Sequence, residues 1–171
     1  MTTANILVLG SEGTGKSLLL KRLKALSMDP DVVFDDIPST IQTVGSNLVK
    51  IHISKQDYEL REVGGVMAPI WKNYYNSACG VIFVIDVSNQ FQLSASCILL
   101  LSVLSEELLK NKPLLILLNK IDMELTFSLV EIEKILRIKE IKKYANVSVI
   151  ECSCVKNVGL RDIEKWLSTV K

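Results

Sequence analysis

The segment GSEGTGKS, residues Gly10–Ser17, contains residue types that can hold a chain of phosphates. It has the spacing G-x-x-x-x-G-K-S and lies between a short apolar run and an amphipathic run. Glycines at these positions let backbone N–H groups point at phosphate oxygens, and a following helix adds the positive end of its dipole. Lys16 would bridge the β- and γ-phosphates, and the Ser17 hydroxyl would bind Mg²⁺. The predicted nucleotide-binding residues of this phosphate loop are Gly10, Ser11, Glu12, Gly13, Thr14, Gly15, Lys16 and Ser17.

The tetrapeptide NKID, Asn119–Asp122, follows a second apolar run and indicates which base is bound. The Asp122 carboxylate can accept hydrogen bonds from the N1–H and the exocyclic amino group of guanine, whereas adenine has no donors at those positions. Adenine would leave a buried charge unpaired, which disfavours it by several kcal/mol. Asn119 would brace the loop, and the aliphatic stem of Lys120 would cover the base. This tetrapeptide is common by chance, but together with the phosphate loop it predicts binding of GTP and GDP.

A third segment, ECSCVKN at Glu151–Asn157, follows the last apolar run. Ser153 and Cys154 are predicted to contact the base here, with the Cys154 backbone N–H directed at the guanine carbonyl oxygen. The motif is weak by itself, so this prediction depends on its position after a strand.

The elements that must position these segments alternate between short apolar runs and longer amphipathic runs, which is typical of an α/β fold. The loop Ser27–Thr40 is long and rich in Asp and Pro, so we expect it to be functional. A hairpin is expected to turn at Lys55–Asp57. The predicted strands include Asn5–Gly10, Val81–Asp86, Leu114–Leu118 and Val147–Glu151, and the predicted helices include Ser17–Leu26, Gln90–Leu109, SLVEIEKILRI and LRDIEKWLSTV.

Composition limits the class of protein. The chain has 171 residues and is 49% hydrophobic, which predicts one domain spanning residues 1–171. Its 20 basic and 19 acidic residues argue against nucleic-acid binding. Four cysteines in apolar surroundings are expected to be reduced thiols. Cys152 and Cys154 could form half of a metal site, but His52 is the only histidine and no second cysteine pair exists.

Together these segments resemble small GTPases, and among them the ADP-ribosylation-factor-like (Arf-like) branch. The resemblance extends from Ile6 to Leu167, and its Arf-like marks are Glu12, the segment Thr43–Asn47 and the pair Gly64-Gly65. It implies a P-loop NTPase fold with a six-stranded, mostly parallel sheet in the order 2-3-1-4-5-6, an antiparallel second strand and helices on both faces. It also implies a GTP-binding switch that recruits effector proteins through two switch segments and the 44–63 hairpin, in vesicle or ciliary trafficking.

The resemblance assigns further residues to the two switches. Thr43 corresponds to the first-switch threonine, which closes on Mg²⁺ and the γ-phosphate, although Thr40 is a competing candidate. Gly65 corresponds to the second-switch glycine, whose amide binds the γ-phosphate. Glu62 stands where the family usually has an aspartate that holds Mg²⁺ through water. Its additional methylene is expected to crowd or shift that water, which puts the Mg²⁺ affinity in doubt.

Val66 is the main departure from the family pattern, because it stands where Arf relatives carry the glutamine that orients the attacking water. Valine cannot hydrogen bond, and positioning is most of what phosphoryl transfer requires, so we expect weak or absent intrinsic hydrolysis. Val66 could instead be a packed apolar loop residue. An alternative function is a scaffold that holds nucleotide permanently and never cycles. A P-loop kinase is a third alternative, which NKID disfavours.

The two ends of the sequence show no signal for lipid attachment to a membrane. Only MTTA precedes Asn5, Thr2 excludes N-myristoylation, and the C-terminal segment WLSTVK has no cysteine for prenylation. The apolar segment Cys97–Leu104 is too short to cross a bilayer and is expected to be a helix that packs on a sheet. We therefore expect a soluble, cytoplasmic monomer without an intrinsic membrane anchor.

Aromatic residues give two further expectations. Trp71, Tyr74 and Tyr75 are expected to be either an effector-binding face or part of the core, with equal support for both. Trp166 is expected in the core, and His52 at the surface or in packing rather than in catalysis.

Overall fold

The computed structural model describes residues 3–170, apart from the side chain of Tyr144, so Thr2 and its bearing on acylation lie outside the described residues. Six strands form one sheet in the order β2-β3-β1-β4-β5-β6, as predicted. Strand β2 is antiparallel to β3, and all other neighbouring pairs are parallel. The strands are β1 Ala4–Leu9, β2 Ser46–Ile53, β3 Gln56–Val63, β4 Gly80–Asp86, β5 Leu114–Asn119 and β6 Val147–Cys152.

Helices cover both faces of the sheet, which confirms the expected layering. Alternate residues of β1 belong to different cores, because Ile6 packs with residues of the helices at 16–28 and 160–167 while Leu7 packs with residues of the helices at 90–104, 129–135 and 138–144. Strands β4 and β5 are buried along their whole length, which explains their unbroken apolar sequences. The helices are α1 Lys16–Met28, α2 Gln90–Leu104, α3 Leu129–Ile135, α4 Ile138–Tyr144 and α5 Leu160–Leu167, with 3-10 helices at Gly65–Tyr74 and Glu107–Leu109.

Parallel strands bring the predicted site residues to one edge of the sheet. The phosphate loop follows β1, Gly64 and Gly65 follow β3, Asn119 ends β5, and Ser153 follows β6. In open α/β sheets, ligands bind at the carboxyl ends of the strands. The topology therefore places all three predicted binding segments and the second switch at the same edge.

Several predicted boundaries differ from the structure, three of them for an identifiable reason. The helix predicted for Gln90–Leu109 ends at Leu104, and a separate 3-10 helix occupies Glu107–Leu109. The segment SLVEIEKILRI does not form one helix, because Arg137 adopts a left-handed backbone with φ 56° between α3 and α4. The hairpin turns at Ser54 and Lys55, both with positive φ, since a two-residue turn of this kind matches the twist of the strands.

Burial decides between the alternatives for the aromatic residues. Trp71 and Tyr75 are buried in the core of the α2 face, and Tyr74 is half-buried with the Arg61 guanidinium 5.7 Å from its ring centre. Trp166 is buried, as expected. His52 is exposed, and its Nδ1 lies 2.7 Å from Asp57 Oδ1.

The apolar segment Cys97–Leu104 lies in α2 and packs on the sheet, as predicted. Leu100 and Val103 pack on the sheet, but Ile98 and Leu101 are exposed to solvent. Within residues 3–170, no helix combines the length and apolar character needed to span a membrane.

All four cysteines are free thiols. A hydrogen bond with Cys154, together with burial, raises the pKa of the Cys152 thiol, which keeps it protonated. The described part of the chain contains no group of three or more His, Cys, Asp or Glu side chains arranged for a metal ion.

Candidate nucleotide-binding site

The phosphate loop turns tightly from β1 into α1 around a buried lysine. Gly15 caps α1 with φ 97°, and a Cβ there would collide with the Asn119 side chain, so only glycine fits. Lys16 Nζ donates to the carbonyl oxygens of Gly10 and Ser11 at 2.9 and 2.7 Å. Burial lowers the pKa of Lys16 to about 8, although the Glu62 and Glu12 carboxylates oppose this shift. An anion in the loop would favour the charged form of this lysine.

A cavity of about 270 Å³ opens above the phosphate loop. Its walls come from the phosphate loop, from residues 40–43, from Glu62 near the end of β3 and from the following residues Gly64, Gly65 and Val66. Three segments that are distant in sequence therefore enclose one polar space. This is the arrangement that the two-switch assignment requires.

Three side-chain oxygens from different segments meet at one side of this cavity. Ser17 Oγ donates to Glu62 Oε1 at 2.6 Å, and Thr43 Oγ1 donates to the same oxygen at 2.9 Å. The two hydroxyl oxygens lie 3.1 Å apart. Glu62 is only 1% exposed, and its Oε2 has no hydrogen-bond partner. Thr40 also lines the cavity, but it is Thr43 that contacts Ser17 and Glu62.

The chemistry of this oxygen cluster fits Mg²⁺. Mg²⁺ prefers oxygen ligands, typically one or two carboxylates completed by phosphates and water. The cluster offers two hydroxyls and a buried carboxylate with one unpartnered oxygen, and no nitrogen or sulfur atom is part of it. Ser17, Thr43 and Glu62 are thus placed to hold this cation directly or through water.

The double glycine lets the predicted second switch pack closely on two segments, residues 43–45 and the phosphate loop. Gly64 N–H donates to the Gly45 carbonyl at 2.9 Å, and a Cβ on Gly64 would overlap the Thr43 carbonyl. A Cβ on Gly65 would overlap the backbone of Ser11 and Glu12. Side chains at either position would push the switch segments apart, so the close packing requires glycine.

Asn119 connects the base-binding loops to the phosphate loop. Its Nδ2 donates to the Thr14 carbonyl at 2.8 Å, and its Oδ1 accepts from the Cys154 N–H at 3.2 Å. The Cys154 N–H was predicted to point at the guanine carbonyl oxygen, whereas in the structure it donates to Asn119 Oδ1. The Asp122 carboxylate is exposed, and its Oδ1 accepts from Ser153 Oγ at 2.5 Å. Asp122 and Ser153 are thus brought together, outside the lining of the phosphate cavity.

Lys120 forms an ion pair with Asp86, a residue that was not predicted to belong to the site. Its Nζ lies 2.6 Å from Asp86 Oδ2, and Asp86 is buried at the end of β4. Ser88 donates its N–H and its hydroxyl to the other oxygen of Asp86. The sequence did contain a signal for Asp86, because an acidic residue at the end of a buried parallel strand lies at the edge of the sheet where ligands bind.

Arg22 is a second residue that sequence reasoning missed. This buried side chain donates from Nε to the Cys154 carbonyl at 3.1 Å and from a terminal nitrogen to the Asp36 carbonyl at 2.9 Å. Its guanidinium carbon lies 4.3 Å from the Phe34 ring centre. It therefore ties α1 to the base loop and to the loop before the first switch. An arginine in an amphipathic helix gives no signal of such burial.

Comparison with known proteins agrees with this geometry. The sequence model of the ADP-ribosylation factor family matches residues 1–170. The chain belongs to the ADP-ribosylation factor family. It is 40% identical to human (Homo sapiens) ADP-ribosylation factor-like protein 16 over 164 residues, which cover 94% of this chain and 83% of that protein. It is 30% identical to ADP-ribosylation factor J of Dictyostelium discoideum over 165 residues, 95% of this chain and 82% of that protein.

A solved structure shares the fold of this Arf-family chain. It is the Arl6 BBS3 small GTPase from Trypanosoma brucei with the bound nucleotide analogue GppNp, with a TM-score of 0.82 and 20% identity. The match covers 98% of this chain and 96% of that one. The predicted Arf-like resemblance and the P-loop fold are confirmed, and the chain is a GTP-binding switch of the small GTPase type.

We expect Asn119→Ala to destabilise the protein and speed nucleotide release. The substitution leaves the Thr14 carbonyl and the Cys154 N–H without a partner, at about 1–3 kcal/mol for each buried group. Urea unfolding and the dissociation rate of a fluorescent GDP derivative measure both effects. Asn76→Ala, at an exposed position, is the matched control. Equal unfolding midpoints for the two variants would refute the bracing role of Asn119.

Proposed function

We propose that this Arf-family protein recruits effector proteins in its GTP-bound state and hydrolyses GTP slowly or not at all. The observation that carries the proposal is the convergence of Ser17, Thr43 and Glu62 beside a cavity that Val66 also lines. The convergence of the three side chains would couple both switches to the nucleotide. Val66 lacks the polar group expected next to the terminal phosphate.

Binding of the phosphate chain would rest on the phosphate loop. Backbone N–H groups of the loop and the Lys16 ammonium would bind the negative charge, and Lys16 already contacts the loop through the Gly10 and Ser11 carbonyls. Mg²⁺, when bound, neutralises charge on the phosphates. Ser17, Thr43 and Glu62 are the side chains we assign to hold it.

The switch response would come from segments without regular strands or helices. Thr43 lies in the irregular stretch before β2, and Gly65 begins the 3-10 helix Gly65–Tyr74. A terminal phosphate would tether both, and its loss would release both. Ile41 and Val44, near these contacts, are strongly exposed to solvent, and Leu48 on the hairpin is partly exposed. An effector that binds these apolar side chains would therefore sense the nucleotide.

Val66 supports slow hydrolysis. Its side chain is 49% exposed and lines the cavity, so it is not a packed core residue. It can neither donate to nor accept from an attacking water. Ordinary small GTPases without a partner already turn over at only about 10⁻⁴ to 10⁻³ per second. The same observation favours the second candidate, a scaffold that holds its nucleotide and never cycles.

We further propose that the chain acts as one domain, as a cytoplasmic monomer, in vesicle or ciliary trafficking. Family membership supports this process.

Base selection is tested with Asp122→Asn. An asparagine can donate to the 2-carbonyl of xanthine, whereas aspartate pairs with the amino group of guanine. We expect the variant to lose at least about tenfold in GDP affinity and to gain XDP binding, because one unpaired polar contact is worth 1–3 kcal/mol or more. Competition binding with GDP, XDP and ADP measures this. Glu124→Gln is the control, and unchanged base preference in Asp122→Asn would remove the basis for guanine selection.

Hydrolysis is tested with Val66→Gln by mass spectrometry of the nucleotide released from purified protein and by single-turnover GTP cleavage. We expect the wild type to retain GTP and the variant to shift the pool toward GDP, because glutamine can orient water. The same two measurements are made on Gln42→Ala, because among the described residues that line the cavity only Gln42 carries an amide side chain.

Equal cleavage rates in wild type and Val66→Gln would contradict the role assigned to Val66. Absent cleavage together with negligible nucleotide exchange in the wild type would favour the scaffold over the switch.

A further inference from the structure

Helix α2 presents an apolar face to solvent on the side of the sheet away from α1. Its 15 residues, Gln90–Leu104, contain no charged side chain. A helix at the surface of a globular protein normally carries charged residues on its outer face. Here Phe91, Ile98 and Leu101 are instead 89%, 69% and 42% exposed. This face is apolar where solvent alone would favour charge.

A groove of about 260 Å³ lies between α2 and α4. Leu101 and Leu104 line it on the α2 side, and Ile141 and Ala145 line it on the α4 side, so its surface is mostly apolar. Arg137 and Glu140, of opposite charge, complete the lining. Such a groove between two helices accepts the side chains of a third helix packed across them.

A second cavity, of about 400 Å³, adjoins the groove and has a basic rim. The two spaces share Leu104 and Ala145, and three lysines, Lys110, Lys112 and Lys143, line the second; we call these lysines the basic rim. Apolar and basic pockets therefore lie side by side on one surface.

The basic charges at this surface are poorly compensated. The Lys143 ammonium has no ion pair or hydrogen bond within the described residues, and the Lys112 ammonium donates only to the Tyr75 carbonyl. Lys110 lies 3.5 Å from Glu107, and both side chains are exposed. A partner that supplies carboxylates would complement this charge.

We propose that the α2–α4 groove and its basic rim dock an acidic amphipathic helix of a partner protein. Apolar side chains spaced i, i+3 or i+4, and i+7 would fill the groove, and flanking carboxylates would meet Lys110 and Lys143. The basic charge favours an acidic partner, and a concave apolar groove between two helices favours side chains that enter it over the flat surface of a membrane.

This docking surface is separate from the switch segments. Its walls are helices α2 and α4, and neither helix lines the phosphate cavity. We therefore expect binding there to be equal in the GDP and GTP states, unlike effector binding at the switches. This difference allows the docking proposal and the proposed switch function to fail independently.

The test is a display selection with random peptides of about 16 residues, enough for four helical turns. The target is the GDP-loaded protein, and counter-selection uses the double variant Leu101→Asp, Lys143→Glu. We expect enriched peptides to be acidic and amphipathic. Fluorescence anisotropy of an enriched peptide should show about tenfold or greater weakening with either single variant, because Leu101→Asp places a charge in the apolar groove and Lys143→Glu turns an attractive charge into a repulsive one. Lys24→Glu, an exposed change on α1, should leave the affinity unchanged.

Three outcomes would overturn the proposal. The first is an absence of enriched peptides, and the second is enrichment of peptides that are basic, neutral or indifferent to the variants. The third is failure of the peptides together with Lys143-dependent sedimentation on vesicles containing phosphatidylserine, which would identify a membrane surface. Unchanged GDP affinity and thermal unfolding of each variant show that the fold is retained.

Discussion

The Glu62 carboxylate is the group on which the arrangement of the nucleotide site depends. It is buried at the end of β3, where one oxygen accepts from two hydroxyls and the other has no partner. A buried charge is stable only when hydrogen bonds and an opposite charge compensate it. The two hydroxyls come from Ser17, at the start of α1, and Thr43, in the first switch. Compensation of one carboxylate therefore links three separate segments.

The rest of the fold positions this carboxylate and its neighbours. Parallel strands bring the loops at their carboxyl ends to one edge, and the tight approach of Gly65 to the phosphate loop brings the predicted second switch beside the same cavity. Asn119 extends the connection to the base loops through its contacts with Thr14 and Cys154. These contacts connect the phosphate loop, the side chains proposed to hold the cation and the predicted base loops, so a change at one of them can reach the others.

The sequence predicted best what short-range chemistry determines. The phosphate loop and NKID carry their backbone requirements in a few adjacent residues, and the sheet order followed from the Arf-like resemblance. Tertiary packing decided the rest. The burial of Arg22 depends on carbonyls distant in sequence, and the break at Arg137 depends on a backbone conformation that apolar periodicity does not encode. The apolar run of α2 suggested burial, but composition cannot indicate that Leu101 faces solvent.

The most direct measurement is the thermal unfolding of GDP-loaded protein with and without Mg²⁺, for the wild type, Glu62→Gln and the control Glu59→Gln on the same strand. A cation that binds only the folded protein raises its stability. We expect Mg²⁺ to raise the unfolding temperature of the wild type and of Glu59→Gln, and most of this increase to be lost in Glu62→Gln. An equal increase in all three proteins would contradict the central role of this carboxylate.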